Sequence, residues 1–337
     1  MSCPRNLKKR HVGTFIKKIH VTKVAELPRI WGTITEAFQE ELQASMSIAA
    51  VSLSAAPDLK RILLATDLTL SAESLAALPY VRGIADSFGS SVFLWHSVAS
   101  EENEMDAAEF ELRQMEKQAG DKLQSLAHTV QFQSLEVSTI VTSGPVASEL
   151  PKAIRGHDID LVVARTSGRR GLQRILYGSV VDEICRVANC PVLTVGPYLL
   201  PRREIRFKRI ILPTDLSQHS QRVLPAVVAL ARRYEASVTV LHVLPEGWER
   251  RPDGVAVKEG AQRAMAHSFG PRLSGLDVEL LCEAGEPVET ILRSARQKNA
   301  DLIALGVHNA FEPGIQMCPS VASRVVSEAH CPVLTSH

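Results

Sequence analysis

Nothing in the sequence approaches the ~18 consecutive apolar residues of a membrane-spanning helix, so neither a span nor a membrane partner is expected. The basic N-terminal stretch lacks the apolar core of roughly 7–15 residues that a secretory signal carries, which points to a cytoplasmic location. The six cysteines (Cys3, Cys185, Cys190, Cys282, Cys318, Cys331) include no C-x-x-C pair and sit mostly in apolar runs. They read as buried, reduced thiols. His and Cys do not cluster at ligand spacing, so no metal site is expected. Also missing are G-x-G-x-x-G, G-x-x-x-x-G-K-[ST] and G-x-S-x-G, which excludes the dinucleotide fingerprint, the P-loop and the nucleophile elbow. No carboxylate pair or nucleophile–base arrangement follows from spacing, so no catalytic residue is nominated. Net charge is lacking too: 38 Lys and Arg stand against 37 Asp and Glu. That balance argues against nucleic acid as a partner.

What is present is a soluble, globular composition, 45% apolar over 337 residues, long enough for about two domains. The charge is unevenly spread. Residues 1–57 hold eight basic and four acidic residues, a balance of +4 that leaves −3 for the rest of a chain of net +1. This stretch reads as a poorly ordered extension, and Met46 offers an alternative start of translation.

The dominant feature is an internal repeat. Lys60-Arg-Ile-Leu-Leu-Ala-Thr-Asp67 resembles Lys208-Arg-Ile-Ile-Leu-Pro-Thr-Asp215, and Cys190-Pro-Val-Leu-Thr resembles Cys331-Pro-Val-Leu-Thr. The offset is 148 at the aspartates, 146 at His96 and His242, and a constant 141 from Gly144 onward. Unrelated sequences do not hold one register over about 50 residues.

In each copy, short Val/Ile/Leu runs alternate with helical patterns. The runs are Ile62–Ala65, Val92–Trp95, Val137–Val141, Leu161–Ala164 and Val192–Val195, then Ile210–Leu212, Val238–Val243, Val278–Leu281, Leu302–Leu305 and Val333–Thr335. Such runs read as strands buried on both faces. Between them, Ser71–Phe88, Ser217–Tyr234, Val146–Arg155 and Val288–Asn299 carry apolar residues at helical spacing. Strand–helix alternation predicts an α/β fold with a mainly parallel, five-stranded sheet in each copy. Pro79 and Pro225 fall inside the first helical pattern of each copy, which predicts a kink or a late helix start.

Ligands of such sheets bind beyond the carboxyl ends of the strands. Thr66-Asp67 follows the first strand there. The loop Arg165-Thr-Ser-Gly168-Arg-Arg-Gly171-Leu-Gln-Arg-Ile-Leu-Tyr-Gly178-Ser179 follows the fourth. Its glycines allow close backbone approach, Ser179 opens a helix, and Arg169, Arg170 and Arg174 add positive charge, which together suit a phosphate. An ordinary surface loop capped by Ser179 and Asp182 is the plainer reading. His96 and His242 read as strand-end histidines hydrogen-bonded near the core, and Cys190 and Cys331 as packing residues.

With these features the chain resembles a tandem universal stress protein over residues 58–197 and 207–337. The resemblance rests on the Thr-Asp turn, the Val92-x-Leu94-x-His96 strand, the glycine loop and the closing Cys-Pro-Val-Leu strand. It implies two doubly wound, Rossmann-like (flavodoxin-like) domains packed as an internal pseudo-dimer through their last strands, and a homodimer of chains. The family's nucleotide loop is Gly-x2-Gly-x9-Gly-Ser/Thr, and members that carry it bind ATP. By that resemblance Ala65, Thr66 and Asp67 meet adenine or ribose and Val92 lines the adenine pocket. Gly168, Arg169, Gly178, Ser179 and Val180 surround the phosphates. Arg165 replaces the family's first glycine, near the ribose, where its side chain crowds the sugar, folds outward or contacts phosphate. The second copy reads Gly306-x2-Asn309-x9-Pro319-Ser320. Pro319 has no N–H to offer. Arg169, Arg170, Arg174 and Gly171 become Ala310, Phe311, Ile315 and Glu312. Pro213, Thr214, Asp215, Val238, Gly306 and Ser320 are therefore the weaker candidates. The expected function is a stress-response protein binding ATP, with magnesium, or a related adenine nucleotide in the first copy, without strong catalysis. The alternatives are a nucleotide-free structural or regulatory protein and a slow ATPase.

Overall fold

A computed structural model describes residues 58–68, 74–98, 105–166, 180–196, 199, 204–307 and 320–337. The extension at 1–57 lies outside the described residues. The first copy runs β1 (Arg61–Ala65), α1 (Leu78–Phe88), β2 (Ser91–Val98), α2 (Met105–Ala127), β3 (Val137–Ser143), α3 (Val146–Gly156), β4 (Leu161–Arg165), α4 (Val180–Val187) and β5 (Val192–Val195). The second runs β6 (Arg209–Thr214), α5 (Leu224–Tyr234), β7 (Ser237–Leu244), α6 (Gly254–Phe269), β8 (Asp277–Ala284), α7 (Pro287–Gln297), β9 (Leu302–Gly306), α8 (Val321–Glu328) and β10 (Val333–Ser336). The expected α/β alternation is what the chain adopts.

The strands form one ten-stranded sheet in the order β3-β2-β1-β4-β5-β10-β9-β6-β7-β8. Neighbours within each copy are parallel. The one antiparallel pair is β5 with β10, where Val333, Leu334 and Thr335 face Thr194, Leu193 and Val192. These central strands are buried along their whole length, which is why they are apolar runs whose only polar residues are Thr194, Thr335 and Ser336.

Pro79 and Pro225 fall in the first turn of α1 and α5, behind 3-10 turns at Ser74–Ala77 and His219–Gln221. A missing N–H costs nothing there, because first-turn donors have no partner within the helix. Of the two outcomes the sequence allowed, the late start is the one realised. Asp160 and Asp301 perform the same task in each copy. Asp160 Oδ2 accepts N–H bonds from Lys60 (3.0 Å) and Arg61 (2.9 Å). Asp301 Oδ2 accepts them from Lys208 and Arg209, both at 3.1 Å. Each carboxylate thus ties the start of one strand to the start of its neighbour.

The two faces of the sheet differ. On the face of α1, α2, α5 and α6 a single apolar core runs through both copies. On the opposite face α3 with α4, and α7 with α8, cover two separate cores. The continuous core closes around Phe207, which is 1% exposed. Its ring stacks on Tyr80 (centroids 6.4 Å apart) and meets Tyr234 edge-on (5.4 Å). Tyr234 Oη donates to Gly83 O of the first copy at 3.0 Å. Phe207→Ala is expected to lower unfolding free energy by about 3–5 kcal/mol in urea titrations. A loss below about 1 kcal/mol would remove Phe207 as the keystone of this core.

Candidate functional site

The carboxyl ends of β1 and β4 lie side by side, since β1 pairs with β2 on one flank and β4 on the other. Strand order switches sides at this point, from β2 and β3 on one flank to β4 and β5 on the other, the usual place for a ligand crevice in an open α/β sheet. Thr66 and Asp67 leave β1 on one side, and Arg165 ends β4 on the other. In the second copy the same positions hold Thr214 and Asp215 after β6 and Gly306 at the end of β9.

Both Thr-Asp turns are built alike. His96 Nδ1–H donates to Thr66 O at 2.8 Å, and His242 Nδ1–H donates to Thr214 O at 2.9 Å. The histidines therefore brace the turn through its backbone. Leu68 and Leu216, next after each aspartate, lie in the left-handed region at φ 59° and 66°. A side chain there costs about 1–2 kcal/mol. The threonine hydroxyls help hold it, accepting the N–H of Leu68 at 3.2 Å and of Leu216 at 2.9 Å.

The second crevice is occupied by the chain itself. In the second copy Thr214 Oγ1 and Ser220 Oγ lie 2.7 Å apart, and Ser220 Oγ donates to Ser217 O at 2.8 Å. Ser217 N donates to Asp215 Oδ1 at 2.9 Å. Partial burial works against the Asp215 charge, but the bonds from Ser217 and Ser220 outweigh it and hold the carboxyl below its usual range. The 3-10 turn His219–Gln221 rests on the backbone of Gly306. A Cβ built on Gly306 would fall 2.6 Å from Ser220 Cα and closer still to His219 O. Gly306 is thus required by the chain's own packing. Arg165 stands at the equivalent position in the first copy.

The other sequence candidates divide. Ala65 and Thr66 are half-buried and Asp67 is exposed, all at the crevice. Val180 opens α4 and is 58% exposed. Gly168, Arg169, Gly178 and Ser179 lie outside the described residues. Ser320 caps α8, its Oγ accepting Ser323 N–H at 3.1 Å. Pro213 is buried in β6. Val92 and Val238 are not brought to the crevices. Val92 pairs with Ile62 and Val238 with Ile210, near the amino ends of their strands, and both are fully buried. At ~3.3 Å per residue Val92 lies about 10 Å below the level of Ala65. The register instead carries Trp95, His96 and Ser97 to the carboxyl end of β2, with Ser97 Oγ donating to Gly144 O at 2.7 Å. The alternation of the strand reveals which face a residue takes but not its height along the sheet.

Among the described residues, no group of three His, Cys, Asp or Glu is placed to hold a metal ion, and no helix is long and apolar enough to cross a membrane. Among the described residues, Cys185, Cys190, Cys282 and Cys331 are thiols and form no disulfide. Burial pushes the Cys190 thiol up to about 12 and raises that of Cys185 as well.

Two outcomes follow. Gly306→Ala is expected to cost about 1–3 kcal/mol and to raise hydrogen exchange in His219–Gln221 selectively. Unchanged exchange there would overturn the packing role of Gly306. Iodoacetamide at neutral pH should label Cys190 at roughly a thousandth of the free-thiol rate, rising to the full rate in denaturant. Rapid native labelling would show a thiolate that burial does not suppress.

The profile of the Universal stress protein family matches residues 58–196 and 206–337. Universal stress protein MJ0531 of Methanocaldococcus jannaschii is 33% identical over 144 residues, covering 38% of this chain and 81% of that protein. A universal stress protein of Thermus aquaticus, encoded in the QAH/OAS sulfhydrylase 3′ region, is 33% identical over 137 residues, 38% of this chain and 97% of its own. Among solved structures, a universal stress protein from Archaeoglobus fulgidus superposes with a TM-score of 0.64 at 19% identity, covering 82% of this chain and 97% of the other, and so shares the fold. With the family profile matched twice, on the two copies of the repeat, the chain belongs to the universal stress protein family.

Proposed function

We propose that the first copy binds ATP or a related adenine nucleotide and that the second is a structural partner that does not. The observation carrying this reading is the inequality of the two loop sequences that follow β4 and β9. In the second copy, the chain's own 3-10 turn sits on Gly306 and its serines saturate the Thr-Asp turn. Its loop also carries Pro319 and Glu312 in place of Gly178 and Gly171. The first copy keeps Gly168, Gly178 and Ser179 with Arg169, Arg170 and Arg174, a set that suits a phosphate chain through backbone N–H groups and positive charge. Asp67 faces adenine or ribose, and magnesium enters with the triphosphate on its oxygens.

In this reading the protein is a cytoplasmic stress-response binding protein with little or no hydrolysis. Residues 58–197 and 207–337 form its two domains, and β5–β10 pairing makes them an internal pseudo-dimer. The chain itself works as a homodimer.

Calorimetry with ATP and magnesium should detect one site per chain. Asp67→Ala should weaken binding at least about tenfold, the loss of one charged hydrogen-bonding group. Gly178→Pro should abolish it, and Asp215→Ala should leave it unchanged. Absence of any adenine nucleotide bound at millimolar concentration would overturn the reading in favour of a nucleotide-free regulatory protein. Arg165 at the sugar position is the residue that favours that outcome.

A further inference from the structure

The pairing of β5 with β10 leaves the ten-stranded sheet two outer edges, β3 and β8. The duplication makes them equivalent positions, so each serves as a control for the other. An outer strand presents unpaired N–H and C=O groups and needs a device against unwanted pairing. The edge β8 has one. Its sequence Asp-Val-Glu-Leu-Leu-Cys-Glu-Ala carries Asp277, Glu279 and Glu283. Glu279 is held by Lys298 Nζ at 2.6 Å and Glu283 by Arg293 at 3.1 Å.

The edge β3 keeps only the first of these charges, Glu136 standing at the position of Asp277. It reads Val-Ser-Thr-Ile-Val-Thr-Ser from Val137 to Ser143, with no charge and no proline, and Ser138 is exposed while the other six are half-buried. At the constant offset of 141, Ser138 stands where Glu279 stands and Thr142 where Glu283 stands. This composition is what a paired strand favours.

We propose that β3 pairs antiparallel with β3 of a second copy of this chain, extending the sheet across a twofold axis at Ile140. The proposal rests on the homodimer reading above, names its surface, and is independent of nucleotide. In this register Ser138 faces Thr142 of the second copy, and Thr142 faces its Ser138, a hydroxyl pair of the kind that stabilises neighbouring strands. The same register in β8 would set Glu279 directly against Glu283, a like-charge pair. Val137 and Val141 lie on the α2 face and Ile140 on the other, so both faces gain apolar contact across the joint. A cleft of about 450 Å³ beside β3, between Ala127, His128 and Leu135, offers room for the second copy's side chains. With hydroxyls at the facing positions of β3 and carboxylates at those of β8, assembly closes at two copies and does not run on as a filament. A seven-residue joint is small beside standard interfaces, so dissociation at roughly micromolar concentration is expected.

The test is sedimentation velocity of the full chain across a concentration series, for wild type and the Ser138→Glu/Thr142→Glu variant. The expected result is a wild-type monomer–dimer equilibrium and a dissociation constant raised at least about tenfold in the variant. Hydrogen exchange of the wild type provides a readout that does not depend on the variant folding: amides of β3, and not those of β8, should gain protection as concentration rises. A monomer at every concentration would overturn both the homodimer and this surface. A dimer insensitive to the two glutamates, with no concentration-dependent protection in β3, would overturn the surface alone.

Discussion

Three residues of β5 against three of β10 decide the architecture. Every other pair of neighbouring strands is parallel, and a parallel neighbour must be reached by a crossover. The antiparallel step from Val192–Thr194 to Val333–Thr335 joins two complete α/β units edge to edge without one. It satisfies the backbone groups of both closing strands in the middle of the sheet, where water cannot, and buries both runs. It also makes strand direction opposite in the two copies, so the two crevices open at opposite ends of the sheet. Phe207, between Tyr80 and Tyr234, fills the same joint on one face.

Duplication supplies an internal comparison that a single domain cannot. The Thr-Asp turn, the histidine that braces it and the strained leucine after it recur in both copies with nearly identical geometry. Strain copied this faithfully belongs to the fold of the turn, whether or not a ligand uses it. The departures lie around that frame. Gly306 admits the backbone of a neighbouring turn, and a serine network occupies the hydrogen-bonding capacity of Thr214 and Asp215. At the position of Gly306 the first copy carries Arg165. The two outer strands show the same divergence, with carboxylates retained on β8 and hydroxyls on β3.

The sequence by itself determined the repeat, the strand–helix alternation and hence the parallel α/β fold. Val/Ile/Leu runs and proline in a helix's first turn act through local sterics and burial, which do not depend on distant parts of the chain. It also disclosed the unequal loops, because the missing N–H of Pro319 and the lost arginines are properties of residues alone. Tertiary structure decided the rest. Val92 resembled a pocket residue until its pairing with Ile62 set its height near the amino end of β2, and height follows from register between strands far apart in sequence. Gly306 resembled a remnant of a nucleotide loop until the turn at His219–Gln221 was seen to lie against it. That the outer edges are β3 and β8 followed only from the β5–β10 pairing, a contact between residues some 140 positions apart whose backbone bonds leave no mark on either strand's composition.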